Sequence, residues 1–147
     1  MVTDQRFFAG RDEWILQAKA ASDLPVLRKD FVITDYQVYQ SRVLGADALL
    51  LLAACLAGAD LARLRSLCEE LRMTAVVEVH DEAELERALA AKPAVVGINN
   101  RDLRNFTVNL ATTERLRPLV PQGVLVIAES GVQCAADAER MRCAGVD

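Results

Sequence analysis

The sequence predicts an α/β fold in which strands and helices alternate along a chain of 147 residues. Two observations support this prediction. Short β-branched and leucine-rich runs, typical of strands buried on both faces, recur about every 20 to 30 residues. The stretches between them carry apolar residues at three- and four-residue spacing, which is typical of amphipathic helices. Because each helix must cross over between consecutive strands, the strands are predicted to run parallel in repeated βα units.

The predicted strands share a core of Val, Leu, Ile and Ala residues, and most of them end next to a polar side chain. They are PVLRKD (25–30), DALLLLA (47–53), TAVVEVH (74–80), AVVGIN (94–99) and GVLVIAES (123–130). The predicted helices are Asp12–Ala21, Asp35–Leu44, Asp60–Leu71, Asp81–Ala90, Thr112–Leu119 and Gln133–Ala144. Several of these helices begin with Asp or Thr, whose side-chain oxygen accepts a hydrogen bond from a free N–H of the first turn. Phe7 and Phe8 are predicted to lie in a loop before the first helix, where they line a pocket or pack on that helix.

The domain organisation is predicted to be simple. No Pro/Gly/Ser-rich linker or low-complexity segment divides the chain, so residues 1–147 are expected to form one domain. Two architectures fit the alternation: an open doubly wound sheet, or an arc of a (β/α)₈ barrel. In both of them, ligands bind at the carboxyl ends of the strands.

Composition excludes several function classes. Hydrophobic residues make up 52% of the chain, yet no apolar run approaches the roughly 18 residues that span a bilayer. The N-terminus shows no secretory signal pattern, so a cytoplasmic location is expected. A net charge of −4 without a basic block gives no footprint for nucleic acid. No CxxC spacing occurs among the four cysteines, which are Cys55, Cys68, Cys134 and Cys143, and His80 is the single histidine. Neither a disulfide framework nor a metal site is therefore expected. The thiols are predicted to be reduced and mostly buried.

Polar side chains at the strand ends are the candidates for chemistry. Lys29, Glu78, Asn99 and Glu129 each follow an apolar or small residue two positions earlier, so all four are predicted to share one face of the sheet. A lysine near carboxylates in a partly dry pocket can donate a proton, and a carboxylate of raised pKa can accept one. The alternative is a structural salt bridge that ties the strand ends together.

Three further residues are weaker candidates. Ser130 and Gly131 precede a helix, so their backbone N–H groups are placed to receive a phosphate, although capping alone also explains a Ser-Gly pair there. His80 lies one step beyond Glu78 and is predicted to face solvent. Its position at the end of the strand makes a catalytic role the less favoured interpretation.

Five motifs occur in an order that is far more specific than any one of them alone. They are VTDQRFFAG at the start, PVLRKDF (25–31), VEVHD (77–81), GINNRDL (97–103) and ESG (129–131). With these motifs the sequence resembles the indole-3-glycerol phosphate synthase family of tryptophan biosynthesis. The resemblance implies a (β/α)₈ TIM barrel and a lyase (a carboxy-lyase) that needs no metal or organic cofactor. Its substrate would be 1-(2-carboxyphenylamino)-1-deoxyribulose 5-phosphate, which is closed, decarboxylated and dehydrated to indole-3-glycerol phosphate.

The resemblance also implies residue roles. Lys29 matches the general acid of ring closure, and Glu78 the carboxylate that works beside it. Asn99, Glu129 and Ser130 match further active-site positions. Arg101 would meet the substrate carboxylate and Gly131 would contact the phosphate through its backbone. An apolar wall around the aromatic ring is expected from Phe8, Phe31 and Leu103.

The chain departs from the family pattern at both ends. The first-strand motif E-x-K-x-x-S-P-S and the Gly-Glu phosphate loop after the last strand are absent. We therefore expect a partial barrel, from about the end of strand two to the start of strand eight, that is inactive in isolation and self-associates through its open edges. Arg72 and Lys92 stand where the family usually has glycine. Alternatives are a non-catalytic remnant that binds a phosphorylated metabolite, or another phosphate-binding barrel such as a phosphoribosyl isomerase, which LRKDF together with GINNRD argues against.

Overall fold

A computed structural model describes the whole chain, Met1–Asp147. Its centre is a five-stranded parallel sheet in which each strand pairs with the one before it in sequence. The strands are β1 (Leu27–Arg28), β2 (Ala48–Leu52), β3 (Thr74–Val79), β4 (Val95–Asn99) and β5 (Leu125–Glu129). In a doubly wound sheet the strand order reverses part-way, whereas here it runs without reversal. The fold is therefore α/β with the architecture of a partial (β/α)₈ barrel.

Helices precede, connect and follow the strands. They are α1 (Gln5–Phe8), α2 (Glu13–Ala21), α3 (Asp35–Val43), α4 (Gly58–Glu70), α5 (Glu82–Ala90), α6 (Ala111–Leu116) and α7 (Ala135–Cys143), with a 3₁₀ turn over Arg117–Leu119. The helix predicted to end at Leu119 ends instead at Leu116, because Pro118 lacks the N–H that would continue the α-helical ladder. None of the helices has both the length and the hydropathy of a transmembrane segment.

Two helix starts carry capping contacts, one at the predicted residue Asp81 and one at Thr34, the residue before the predicted start at Asp35. Thr34 accepts a hydrogen bond from the Gln37 N–H in a capping box, and Asp81 accepts one from the Glu84 N–H. Asp12 makes no such bond at the start of α2. Its carboxylate accepts instead from the buried Arg28 guanidinium and from the Gln40 amide.

The segment around Phe7 and Phe8 is not the loop that the sequence predicts. Asp4 accepts hydrogen bonds from the N–H groups of both phenylalanines, which closes the one-turn helix α1. A single turn is too short to show helical periodicity, so the hydrophobic pattern does not reveal it.

The two faces of the sheet have different partners. On the outer face, alternate strand residues such as Leu49, Leu51, Val77 and Ile98 join a core of 24 buried residues packed between sheet and helices. On the inner face, a smaller cluster lines the floor of what would be the barrel interior; its members are Leu50, Leu52, Val76 and Val95. This two-residue alternation places the polar strand-end residues on the inner face.

The edges of the sheet are unequal. The run 25–30 forms only a two-residue strand, but its outer edge is partly covered because Val2 bridges to Lys29, with hydrogen bonds from Thr3 N–H and to Met1 C=O. The edge next to β1 is therefore more covered than the prediction of an open edge implies. At β5, Leu125 and Ile127 remain 53% and 42% exposed on the inner face.

The cysteines correct another expectation. Cys68 on α4 is buried, and burial raises the pKa of its thiol to about 12. Cys55, Cys134 and Cys143 are exposed, so the prediction of mostly buried thiols is wrong. These three lie in the loop after β2 and at the two ends of α7. All four are free thiols.

Candidate active site

A cavity of about 490 Å³ opens at the carboxyl ends of the strands. All the predicted site residues except Gly131 line it: Phe8, Lys29, Phe31, Glu78, Asn99, Arg101, Leu103, Glu129 and Ser130. The sequence analysis did not single out the remaining lining residues, which are Val2, Asp4, Asp30, Leu50, Leu52 and Phe106. The cavity thus combines an apolar wall with a small set of charged groups, as is typical of small-molecule sites.

Glu78 is the centre of the charged groups, with only 1% of its side chain exposed. Lys29 Nζ donates to Oε2 at 3.2 Å, and Asn99 Nδ2 donates to Oε1 at 3.0 Å. His80 Nε2 lies 3.2 Å from the same Oε1. Burial raises the pKa of Glu78, but His80, Lys29 and Asn99 together outweigh it and lower that pKa to about 2. Glu78 is therefore a carboxylate at neutral pH.

Glu129 lies beside Glu78 and behaves in the opposite way. Burial and the negative charge of Glu78 raise the pKa of Glu129 to about 7, although Lys29 opposes the shift. The Glu129 side chain extends across Gly97 of β4, where a Cβ atom would overlap Oε1. Two neighbouring carboxyl groups with separated pKa values can serve as acid and base at one pH.

Lys29 brings its charge to the cavity from the end of β1. Its side chain is 45% exposed, in contrast to that of Glu78, so the ammonium reaches from the buried carboxylate to the open space. Its backbone is fixed by hydrogen bonds to Met1 and Thr3. The Lys29 backbone is therefore fixed in place, and the ammonium group faces the space that a ligand would occupy.

Phe8 and Phe31 line one side of the cavity, and Phe7 packs against Phe31. The rings of Phe8 and Phe31 stack with centroids 6.4 Å apart, and Phe7 meets Phe31 edge-on at 5.9 Å. Phe7 and Phe8 are 67% and 59% exposed. Leu103 and Phe106 add apolar surface from the loop after β4. An aromatic ligand would bury this surface.

The polar residues that follow β4 have structural partners. Asn100 is buried; its Oδ1 accepts from the Thr113 N–H and hydroxyl group, and its Nδ2 donates to the Ser130 carbonyl. Asn99 Oδ1 accepts from the Arg101 N–H while its amide donates to Glu78. These contacts compensate for burying two amides next to an apolar strand.

Ser130 and Gly131 form a left-handed pair after β5, with φ of +64° and +83°. A Cβ atom at Gly131 would lie 2.5 Å from Val108 Cγ1, so the loop packs closely against that side chain. Ser130 lines the cavity, and Gly131 is the next residue along the chain but is not part of the lining. The left-handed backbone requires glycine at position 131 more than at position 130, because the neighbouring side chain leaves no space.

His80 does not face solvent, so that prediction is wrong. Only 9% of its side chain is exposed, and it lies between Glu78 and Glu84. His80 and Glu84 are four residues apart and lie on either side of the helix cap Asp81, a spacing that predicts a contact between their side chains. Strand periodicity does not take this spacing into account. The structure contains no cluster of three or more His, Cys, Asp or Glu side chains arranged to hold a metal ion.

Comparison with protein families gives a match along the entire chain. The family model described as indole-3-glycerol phosphate synthase covers residues 1–147. The chain belongs to the indole-3-glycerol phosphate synthase family. A synthase of this name from Polaromonas naphthalenivorans is 52% identical over 147 residues, and one from Chlorobium chlorochromatii is 44% identical over 147 residues.

The synthase relatives are longer than this chain. The match covers 100% of the chain but 56% of the Polaromonas protein and 57% of the Chlorobium protein. The chain thus spans about half the length of the curated relatives that it matches.

Solved structures support the fold alone. FabK from Thermotoga maritima superposes with a TM-score of 0.75 at 9% identity, covering 99% of this chain and 47% of FabK. A native KDPGal structure superposes with a TM-score of 0.65 at 15% identity, covering 99% of this chain and 64% of that one. These neighbours are TIM-barrel-like, in agreement with a partial barrel.

Proposed function

We propose that this chain carries catalytic groups of an indole-3-glycerol phosphate synthase. The reaction closes 1-(2-carboxyphenylamino)-1-deoxyribulose 5-phosphate to indole-3-glycerol phosphate, with loss of carbon dioxide and water, which makes the enzyme a carboxy-lyase. The observation that carries the proposal is the Lys29–Glu78 ion pair at the mouth of an aromatic-walled cavity. Family membership supports a small phosphorylated substrate and a cytoplasmic location.

Ring closure needs a proton at the carbonyl oxygen of the substrate's sugar chain. The aromatic carbon that bears the carboxylate attacks the carbonyl carbon, and the oxygen becomes a hydroxyl group with a proton from Lys29. The bond to the carboxylate then breaks, carbon dioxide leaves, and its electron pair restores the aromatic ring. Glu78 holds the Lys29 ammonium at 3.2 Å while remaining ionised itself, so the acid stays aimed at the cavity.

The other polar groups have supporting roles in the proposal. Glu129 has a pKa raised to about 7, so near neutral pH it can donate a proton to the hydroxyl group, which leaves as water. The carboxylate that remains can take the proton that the adjacent ring carbon loses as the double bond forms. Asn99 orients Glu78 through its amide, and Ser130 lines the cavity where a substrate hydroxyl group would lie. Separate proton-transfer groups for closure and dehydration fit a reaction that has both steps.

Substrate binding is assigned to the cavity wall. Phe8, Phe31 and Leu103 would enclose the aromatic ring, and the Arg101 guanidinium would meet the carboxylate. The Arg101 guanidinium donates one hydrogen bond to the Phe106 carbonyl and keeps further N–H groups for a ligand. The backbone at Gly131 would contribute one contact to the phosphate, with its positive φ turning the chain at the end of β5.

The test uses this chain extended with the segments of the Polaromonas relative that lie outside the match. With the carboxyphenylamino substrate, we expect the fluorescence of an indole product. Lys29→Ala should lower the rate by about 10²-fold or more, the usual contribution of a general acid. Lys92→Ala is the matched control, because Lys92 is exposed and lies outside the cavity. A Lys29→Ala protein with an unchanged rate would contradict the assignment.

A further inference from the structure

We propose that His80 is a positioning residue, held as an imidazolium between Glu84 and Glu78, that fixes which oxygen of Glu78 meets Lys29. This proposal rests on the function proposed above only in giving Glu78 a part in the chemistry. The arrangement itself follows from contacts among β3, the loop after it and α5.

Glu84 fixes the outer side of the imidazole ring. His80 Nδ1 lies 2.9 Å from Glu84 Oε2, and the His80 backbone N–H donates to that same oxygen at 2.9 Å. Glu84 is held in turn by the start of α5, where its backbone N–H donates to Asp81. The carboxylate therefore binds the ring and the backbone of one residue together, which leaves the ring little freedom to rotate.

Glu78 faces the other ring nitrogen. Nε2 is buried and lies 3.2 Å from Glu78 Oε1, an ion-pair distance without hydrogen-bond alignment, and it has no hydrogen-bond partner. An ionised carboxylate only accepts, and a neutral imidazole has one N–H and one lone pair. A neutral His80 would point its lone pair at one of the two carboxylates. A ring protonated on both nitrogens gives each carboxylate an N–H group.

The charges around His80 favour that state. Burial lowers the pKa of His80, but Glu78 and Glu84 outweigh burial and raise it to about 9. From neighbouring elements, the charge of His80 also acts on Glu129 at the end of β5 and on Asp102 in the loop after β4. The opposing cation is Lys29, which contacts the far oxygen of Glu78.

The consequence concerns the two oxygens of Glu78. Oε1 is engaged by His80 and Asn99, which leaves Oε2 for Lys29. Without the imidazolium, fewer groups would oppose the rise in the pKa of Glu78 that burial causes. Oε1 of Glu78 would then be held only by the neutral Asn99 amide. His80 would thus act on the reaction through Glu78 and not by touching the substrate.

The first test uses the unmodified chain and its single histidine, which makes the imidazole signals unique. We expect ¹⁵N NMR to show both ring nitrogens protonated at pH 7, with a titration midpoint well above 6.5. In Glu84→Gln the midpoint should fall by at least one pH unit, a tenfold loss of proton affinity. Glu82→Gln, an exposed carboxylate on the same helix, is the matched control and should leave the midpoint in place.

The second test follows Glu78 with ¹³C-labelled glutamate carboxyl groups, its signal assigned by its loss in Glu78→Gln. In His80→Gln we expect the Glu78 midpoint to rise by at least one pH unit. A singly protonated ring at pH 7 in the unmodified chain, or an unmoved Glu78 midpoint in His80→Gln, would overturn the proposal. Neither measurement needs turnover, so an inactive extended enzyme would count against the proposed function and not against this inference.

Discussion

At the scale of single residues, burial and charge act against each other at Glu78. An isolated carboxylate with 1% exposure would cost several kcal/mol in free energy of folding. Lys29, Asn99 and His80 compensate for that cost and keep Glu78 ionised. Glu129, which is also largely buried but lies next to this negative charge, has its pKa raised instead. The difference between the two carboxyl groups follows from their neighbours and not from their residue type.

A second residue-scale feature is the backbone at Arg72, which follows α4 with a φ of +58°. A side chain in this left-handed region costs roughly 1 kcal/mol relative to glycine. We expect Arg72→Gly to raise the free energy of unfolding by about 0.5–1 kcal/mol, because the gain in the folded state exceeds the entropy that glycine adds to the unfolded chain. Urea unfolding followed by circular dichroism measures the difference.

Arg72→Ala is the matched control, since it removes the charge but keeps Cβ. Arg72 is exposed, so the loss of its side chain removes no packing. If the alanine variant gained as much stability as the glycine variant, backbone strain would not be the cause.

Strand periodicity predicts some residues of the candidate site and not others. A period of two in the strands places Lys29, Glu78, Asn99 and Glu129 on one face, and in the structure they line one cavity. His80 lies beyond the end of β3, where the next helix sets the direction of the side chain. Strand phase carries no information there, and the contacts of the ring with Glu84, four residues later, and with Glu78 accompany its burial.

At the scale of elements, the alternation of strands and helices could be predicted, but several boundaries could not. Amphipathic spacing detects α4 and α5 because each buries a stripe against the sheet. It misplaces the start of α4, where Gly58 and not Asp60 is the first helical residue. It misses α1, whose single turn depends on the Asp4 cap and on no buried residue. Local hydrogen bonds, which no periodicity records, decide such ends.

The strand β4 gives a test at this scale. Gly97 leaves the space in which the Glu129 side chain lies, and an added Cβ would overlap the end of that flexible side chain and no backbone atom. We expect Gly97→Ala to change the free energy of unfolding by less than about 1 kcal/mol. It should nevertheless push Glu129 away from Glu78, so that the pKa of Glu129 falls from about 7 towards the ordinary glutamate range.

Carboxyl ¹³C titration of the Gly97→Ala chain measures this pKa, with the Glu129 signal assigned by its loss in Glu129→Gln. Gly58→Ala is the control, because a Cβ at Gly58 would meet nothing within 4 Å. An unchanged Glu129 titration in a folded Gly97→Ala chain would show that the position of Glu129 does not depend on this gap.

At the scale of the whole molecule, strand order is what distinguishes the two predicted architectures. Periodicity shows that βα units repeat but not which strands are neighbours, because pairing is a contact between distant parts of the chain. The order β1-β2-β3-β4-β5 without reversal is seen in the structure, and among the arguments from the sequence only the family resemblance predicted it. It curves the sheet so that the strand-end residues converge, and this convergence gives the site its charge pairs.

The same curvature leaves the inner face of β5 exposed to solvent, and we expect this surface to bind a second copy of the chain. Leu125 and Ile127 are 53% and 42% exposed there, and burying the exposed half of one such side chain contributes roughly 1 kcal/mol. Sedimentation velocity should show association that grows with concentration. Ile127→Asp should weaken it at least tenfold, because an unpaired carboxylate at the contact would lose its hydration. Val43→Asp, on the outer helix α3 at 83% exposure, should not. A chain that sediments as a monomer at every concentration would exclude association through this face. So would an association that both substitutions weaken equally.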